Sequence, residues 1–196
     1  MPGYLEIVFG PMFSGKTTIL LEKINNYITF TAIKNNTKKI LIINSSLDER
    51  NNDISLNLST HESSLKRNLV GKNFKSLKTN KLFEIEEKLI LESDYIAIDE
   101  SQFFDDLESF VKHWLTRDKY IYCTGLIADS DKNNFGQLHK LFALADNIEQ
   151  LKAYCVVCNS FIKNAVFTKW VSKKNKDSLV VIGGSDRYIP VCGKHY

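Results

Sequence analysis

The sequence lacks the features that mark membrane-spanning and secreted proteins. No apolar run among its 196 residues approaches the ~18 residues that a membrane-spanning helix needs. The N-terminus has no basic segment followed by an apolar core and a cleavage site, so no secretory signal is visible. Only four cysteines occur, and in a protein that stays inside the cell they point away from disulfides. We therefore expect a cytoplasmic protein without a membrane partner.

The sequence also has little net charge, since 26 basic and 23 acidic residues leave a formal charge of +3. This excess is too small to imply a nucleic-acid partner. Basic residues cluster in 66–81, and a single aromatic residue, Phe74, lies among them, which favours a solvated face over a binding stripe. No repeat or low-complexity tract is evident, and the length suits one substantial domain with a small appendix.

The most informative segment is a glycine-rich loop that fits the pattern G-x-x-x-x-G-K-[ST]. It consists of Gly10, Pro11, Met12, Phe13, Ser14, Gly15, Lys16 and Thr17. An apolar run at 4–9 precedes it, and apolar residues at helical spacing follow within 18–27. In the order strand, loop, helix, the loop N–H groups and the helix N-terminus surround phosphate oxygens. The segment therefore predicts a nucleotide-binding protein.

Strand and helix patterns alternate along the first two-thirds of the chain. Apolar runs at 39–43, 94–99, 120–123 and 148–154 predict strands, and helical periods at 82–91, 107–114 and 138–142 predict helices between them. This alternation predicts a parallel sheet with helices on both faces. Residues 48–64 are polar and predict a loop. The composition changes near residue 150, so we expect an α/β domain at 1–150 and a smaller domain at 151–196.

Two acidic residues, Asp99 and Glu100, close the strand at 95–98. At this place Asp99 would hold Mg²⁺ jointly with the Thr17 hydroxyl, while Lys16 neutralises phosphate charge. Glu100 could be the general base that deprotonates an attacking hydroxyl or water. The pair predicts phosphoryl transfer without identifying the acceptor. A merely polar strand end and a motor ATPase are the alternatives, but one small, nearly neutral domain fits a small-molecule kinase better.

The C-terminal part contains two pairs with metal-ligand spacing, Cys155 with Cys158 and Cys192 with His195. Together they complete a tetrahedral zinc shell, and a full shell predicts a structural metal. The chain must double back for the pairs to meet, which strands near 166–170 and 179–183 would allow. Unrelated reduced thiols are the alternative. Cys123 lies inside an apolar strand and is expected to be a core residue.

Taken together, these segments resemble the type II thymidine kinases, in the cellular and poxvirus-like branch. The resemblance covers nearly the whole chain. It depends on the loop at 10–17, on Asp-Glu-Ser-Gln-Phe-Phe at 99–104, on the cysteine pair at 155–158, and on the segments at 181–188 and 191–195. It implies a P-loop (RecA-like) domain and a zinc-binding hairpin or lasso domain. It also implies transfer of the ATP γ-phosphoryl to the 5′-hydroxyl of thymidine, with Mg²⁺ and with Glu100 as the base.

The resemblance also assigns binding residues. ATP and its magnesium would contact the loop residues 10–17 together with Thr18, Asp48, Arg50, Asp99 and Gln102. Thymidine would contact Met12, Phe103, Leu126, Phe135, Thr168, Leu179, Val180, Val181, Ile182, Gly183 and Tyr188. A homotetramer and feedback by dTTP are further implications. Since the chain stops directly after the second metal-ligand pair, we expect a minimal, viral member.

Three positions depart from the family pattern. Ser130 stands where an aromatic residue is usual, Trp170 where arginine is common, and His195 where some members have cysteine. Because Ser130 changes the expected base pocket, a kinase of another deoxynucleoside is an alternative. A nucleic-acid-stimulated ATPase with a zinc module and a nucleotide-dependent interaction module are alternatives from other classes.

Overall fold

The computed structural model describes residues 3–34, 38–48, 74–158, 160–172 and 186–196. The predictions made for Arg50 and for residues 179–183 therefore lie outside the described residues. The same holds for most of the predicted loop at 48–64.

A six-stranded parallel sheet forms the centre of the protein, which confirms a mixed α/β fold. Its strands are Tyr4–Phe9 (β1), Ile40–Ser45 (β2), Phe74–Thr79 (β3), Tyr95–Ile98 (β4), Tyr120–Gly125 (β5) and Asn147–Gln150 (β6). They lie in the order β3-β2-β4-β5-β1-β6. Since all are parallel, their carboxyl ends meet at one edge of the sheet.

Each face of this sheet carries its own apolar core, because side chains alternate along a strand. On one face, Val8 of β1 packs with Leu20 and Ile24 of the helix Lys16–Ile33 (α1). On the opposite face, Ile7 packs with Phe110 of the helix Leu107–Leu115. The predicted helices on both faces are thus confirmed, and Cys123 is a buried core residue as expected.

The prediction of one helix at 82–91 was wrong. The segment forms a 3₁₀ turn at Leu82–Glu84 and, after Ile85 in extended conformation, the short helix Glu87–Glu92 (α2); Leu107–Leu115 is therefore α3. Leu82, Ile85 and Ile90 are buried while Phe83 and Leu91 are exposed, so burial has the predicted helical period although the extended Ile85 interrupts the helix. The predicted helix at 138–142 is a 3₁₀ helix, Leu138–Leu144.

Two strands were misjudged from the sequence. Strand β3 was missed because it lies at the sheet edge and only Phe74 and Leu77 in it are apolar. The run at 148–154 was predicted as one strand, but β6 ends at Gln150 and Ala153–Tyr154 (β7) belongs to another sheet.

The remainder of the chain forms two small antiparallel sheets. Strand β7 pairs with Lys163–Ala165 (β8), and Phe167–Trp170 (β9) pairs with Tyr188–Val191 (β10). Strand β9 confirms the prediction near 166–170, whereas β10 was not predicted. A small core of Ala153, Cys155, Ala165 and Val191 joins the two sheets. In the described part of the chain, no helix is long and apolar enough to cross a bilayer.

Candidate active site and metal centre

The glycine-rich loop connects β1 to α1 and forms a cradle. Gly15 has φ 90° immediately before α1, a left-handed conformation that favours glycine. The ammonium of Lys16 is buried and donates to the carbonyls of Gly10, at 3.2 Å, and Pro11, at 2.9 Å. The hydroxyl of Ser14 is buried and has no hydrogen-bond partner among the described residues. The cradle thus presents a cation and an unpartnered hydroxyl, which are the groups that a phosphate would engage.

Asp99 lies at the carboxyl end of β4 and contacts the first turn of α1; the shared magnesium site at these two residues stays a prediction. The Thr17 hydroxyl donates to Asp99 Oδ2 at 2.8 Å. Asp99 Oδ1 accepts from the Thr124 hydroxyl and, at 3.0 Å, from the backbone N–H of Glu100. Burial, followed by the charge of Glu100, raises the pKa of Asp99 to about 6. The buried carboxylate of Asp99 lies next to another carboxylate and to the Thr17 hydroxyl. Oxygen ligands of this kind suit a hard divalent cation.

Glu100 is buried and held in an unusual backbone conformation, with φ 48°. Its carboxylate Oε2 accepts from the Gln102 amide at 2.5 Å. The carbonyl of the same Gln102 side chain accepts from the backbone N–H of Leu126 at 2.9 Å. Gln102 therefore joins the acidic segment to the segment that follows β5. Its side chain contacts Glu100, and the assignment of Gln102 to the nucleotide by the resemblance stays a prediction.

Two glycines allow Gln102 to lie so close to the chain. A Cβ at Gly125 would stand 2.6 Å from Gln102 Oε1. A Cβ at Gly136, where φ is 65°, would stand 2.6 Å from Gln102 Cα and closer still to its carbonyl oxygen. No side chain fits in either place without displacing Gln102.

The residues assigned to the thymidine pocket form two groups. Phe103 and Phe135 meet edge to face with ring centroids 5.7 Å apart, and Leu126 is tied to the same region through Gln102. In the second group, the backbone N–H of Met12 donates to the Thr168 hydroxyl at 3.0 Å. Tyr188 lies opposite Trp170 in the β9–β10 pair, with ring centroids 5.1 Å apart.

Two further residues that the resemblance assigns to the nucleotide, Thr18 and Asp48, lie near the carboxyl edge of the sheet. Thr18 lies in the first turn of α1. Asp48 is buried just after β2, whose neighbour β4 carries Asp99 at the same edge of the sheet. Both residues are therefore near the carboxyl edge.

A second site lies beside the small sheets, where Cys155, Cys158, Cys192 and His195 converge after the ends of β7 and β10. Their ligand atoms all lie within 4.8 Å of one another. The Sγ atoms of Cys158 and Cys192 are 3.7 Å apart, and His195 Nδ1 lies 3.3–3.6 Å from the three sulfurs. A tetrahedral zinc ion requires ligand separations of about 3.5–3.8 Å. The four residues therefore fit zinc in both donor chemistry and spacing.

The thiol of Cys155 ionises more readily than an ordinary thiol, because its pKa is lowered. Burial opposes its ionisation, but backbone N–H groups of Cys192, Val157 and Cys158, together with His195, lower the pKa of Cys155 to about 6. Thiolates rather than thiols bind zinc.

Sequence reasoning missed Thr124, which is fully buried at the end of β5 and donates to Asp99. A usable signal existed, because polar residues at the carboxyl ends of neighbouring parallel strands converge. It also missed Lys132 and Tyr196, which contact each other across the chain. No pattern in the sequence indicates that these two residues are in contact.

Comparison with known proteins gives consistent matches. Residues 3–196 match the model of a family described as thymidine kinase. A thymidine kinase of Amsacta moorei entomopoxvirus is 37% identical over 96% of this chain and 94% of that protein. Similar proteins of the same name come from Oryza sativa subsp. japonica, at 34% identity over 100% of this chain and 66% of that protein, and from Sheeppox virus, at 30% over 99% and 97%.

Proposed function

The chain belongs to the thymidine kinase family, and we propose from this membership that it transfers the γ-phosphoryl of ATP to the 5′-hydroxyl of thymidine, giving dTMP and ADP. The observation that carries the proposal is the hydrogen bond from Thr17 to Asp99. It joins the glycine-rich loop to a strand end that also bears Glu100. A phosphate-binding loop and a buried carboxylate are thereby within reach of one another.

The loop at 10–17 would bind the ATP phosphates in the P-loop manner. Lys16 would exchange its two loop carbonyls for phosphate oxygens, and the Ser14 hydroxyl would gain the partner that it lacks in the described structure. Thr17 and Asp99 would hold Mg²⁺. When bound, Mg²⁺ neutralises developing charge on the phosphates.

Glu100 would act as the general base. Its carboxylate would accept the proton of the 5′-hydroxyl while that oxygen attacks the γ-phosphorus and the bond to ADP breaks. Gln102 donates to one carboxylate oxygen of Glu100 at 2.5 Å, which would fix the orientation of the carboxylate relative to the nucleoside. Fixed orientation is what a general base contributes beyond its basicity.

The thymine base would lie between the two groups of residues described above. Phe103 and Phe135 are an edge-to-face pair that could form one wall, and Thr168 and Tyr188 lie on one face of β9 and β10. Such a pocket can exclude purines by size. Discrimination against deoxyuridine, which lacks only a methyl group, would be limited to about 1–3 kcal/mol.

We further propose that residues 1–150 form the P-loop, RecA-like domain and that 151–196 form a zinc-binding lasso domain. The fit of Cys155, Cys158, Cys192 and His195 to a closed tetrahedral shell supports structural zinc. A homotetramer and feedback by dTTP are also proposals, which rest on the family resemblance alone.

The test is a coupled assay of ADP release with thymidine, deoxyuridine or deoxycytidine as the acceptor. We expect thymidine to be the best substrate, with turnover that requires Mg²⁺. Glu100→Gln serves as the control for background ATP hydrolysis. Preference for deoxycytidine, or ADP release that needs no nucleoside, would refute the proposed function.

A further inference from the structure

The segment that follows β5 forms a small hairpin, residues 127–135. Ala128 and Asn134 form an antiparallel bridge, and the N–H of Phe135 donates to the carbonyl of Ile127 at 3.0 Å. The Asp129 carboxylate accepts from the backbone N–H of Asn133 at 2.9 Å. Lys132 stands at the tip with φ 64°. Because a lysine is disfavoured in this left-handed region, contacts at the tip must compensate for the strain.

Those contacts come from Phe167 in β9 and from Tyr196, which lies beyond the end of β10. The Lys132 ammonium lies 3.5 Å from the ring centroid of Tyr196 and 4.4 Å from that of Phe167. The two rings meet edge to face with centroids 5.5 Å apart. The Tyr196 hydroxyl donates to the backbone carbonyl of Ser130 at 2.6 Å. We call these four groups the hairpin contact.

The hairpin contact is continuous with the candidate zinc site. Tyr196 directly follows the ligand His195, and Lys169 Nζ donates to the His195 carbonyl at 3.3 Å. Phe167 packs against the small core that contains Cys155. A displacement of the four ligands would therefore be transmitted to the tip of the hairpin through both aromatic rings.

The base of the hairpin faces the candidate active site. Leu126, just before the hairpin, is bonded to Gln102, and Phe135 packs on Phe103. On the other side, Thr168 follows Phe167 in β9 and accepts from the loop residue Met12. The hairpin contact thus connects the segment that carries Leu126 and Phe135 to the strand that carries Thr168.

We propose that Lys132 and Tyr196 are positioning residues that set the separation of these two groups. By fastening the hairpin tip to the residues around the zinc ligands, they hold Leu126 and Phe135 at a fixed distance from Thr168. This inference rests on the proposed function for its kinetic consequence. Its structural consequence, an ordered hairpin, does not depend on which nucleoside is the substrate.

Substitution of Lys132 or Tyr196 should raise the KM for thymidine rather than the KM for ATP. Tyr196→Phe keeps the ring and removes only the hydrogen bond to Ser130, so we expect the thymidine KM to rise about 2–10-fold. Lys132→Met removes the cation while keeping the length of the side chain, and we expect a rise of about 2–5-fold. The KM for ATP and the zinc content should stay within about twofold of the wild type. Because the two residues belong to one contact, the double variant should show less than the product of the single effects.

The matched control is Lys163→Met. Lys163 lies over the ring of Tyr154 at 5.5 Å, so the change also removes a cation from an aromatic face in the same small sheets. Both of these residues belong to the β7–β8 pair, which lies outside the hairpin contact. This variant should have wild-type kinetics.

The experiment combines hydrogen exchange with steady-state kinetics on the whole, zinc-loaded chain. Exchange of the amides of residues 127–135 should accelerate in Tyr196→Phe and Lys132→Met and stay unchanged in Lys163→Met. Unchanged exchange in the two variants overturns the proposal, and so does an unchanged thymidine KM. An equal rise in both KM values together with lost zinc also overturns it, since that would indicate a purely structural role. Failure of the wild type to phosphorylate thymidine would instead refute the proposed function, and the exchange result would still judge the hairpin contact.

Discussion

Replacing Asp99 by asparagine should make the protein more stable at neutral pH while abolishing its activity. Asp99 is buried and lies beside the carboxylate of Glu100. Asparagine has the same shape and can keep all three hydrogen bonds, because its oxygen can accept from Thr124 and the Glu100 N–H while its amide donates to the Thr17 hydroxyl. The substitution therefore removes a buried charge without opening a cavity.

The size of this stabilisation follows from the pKa of Asp99. Burial and the charge of Glu100 raise the pKa of Asp99 from 3.8 to about 6. Since the native state binds this proton more tightly than the unfolded state, the contribution to stability is greatest below pH 3.8 and is lost as the pH rises through 6. At pH 7.5 the ionised carboxylate costs about 3 kcal/mol. Allowing for weaker hydrogen bonds to a neutral amide, we expect Asp99→Asn to raise the free energy of unfolding by about 1–3 kcal/mol.

The assay is urea unfolding of the zinc-loaded protein without nucleotide or Mg²⁺, at pH 7.5 and pH 5. The increase in the free energy of unfolding caused by Asp99→Asn should shrink to about half at pH 5, because Asp99 is then largely protonated in the native wild type. Addition of ATP and Mg²⁺ should stabilise the wild type more than the variant, since ligands stabilise the state that binds them.

The control is Asp94→Asn at the other end of the same strand. Burial opposes ionisation there as well, but the hydrogen bond from Lys38 and the N–H of Lys39 lower the pKa of Asp94 below its usual value. Removing this charge should reduce stability rather than increase it. An Asp99→Asn variant that is no more stable than the wild type at pH 7.5 would refute the reasoning.

Three further predictions concern the base, the metal ligands and a glycine. Glu100→Gln should lower kcat about 10²–10⁴-fold, measured by ADP release, because the proton acceptor is lost. Cys192→Ser should lower the zinc content well below one per chain and raise the thymidine KM, since zinc-site energy is folding energy. Gly136→Ala should lower the free energy of unfolding by about 2–4 kcal/mol in urea, because the new Cβ overlaps the Gln102 backbone at φ 65°.

Each of these predictions has a contradicting outcome. Wild-type turnover in Glu100→Gln would exclude Glu100 as the base, and full zinc in Cys192→Ser would exclude that ligand. For the glycine, Gly15→Ala is the control, since Gly15 has φ 90° but a Cβ added there would meet no atom within 4 Å among the described residues. Equal decreases in the free energy of unfolding for Gly136→Ala and Gly15→Ala would show that overlap with Gln102 does not destabilise the protein.

The sequence predicted the elements whose signal is local. The strand β1, the glycine loop and α1 follow directly from a buried run, fixed glycines and a helical period. Local signals failed where burial depends on distant neighbours. Leu82 and Ile85 are buried without forming one helix, and the edge strand β3 has too few apolar residues to be recognised. The sheet, rather than the local pattern, determines both.

The sequence alone indicated the residue types of the two candidate sites, because they occur at short spacings: Lys16 and Thr17 after Gly15, Glu100 after Asp99, Cys155 with Cys158, and Cys192 with His195. The tertiary structure alone decided how these groups are held. Thr124 reaches Asp99 across 25 residues, and Tyr196 reaches Ser130 across 66. Such contacts depend on strand order and on the path of the chain. The identity of a threonine or a tyrosine in the sequence does not indicate which distant residue its side chain will contact.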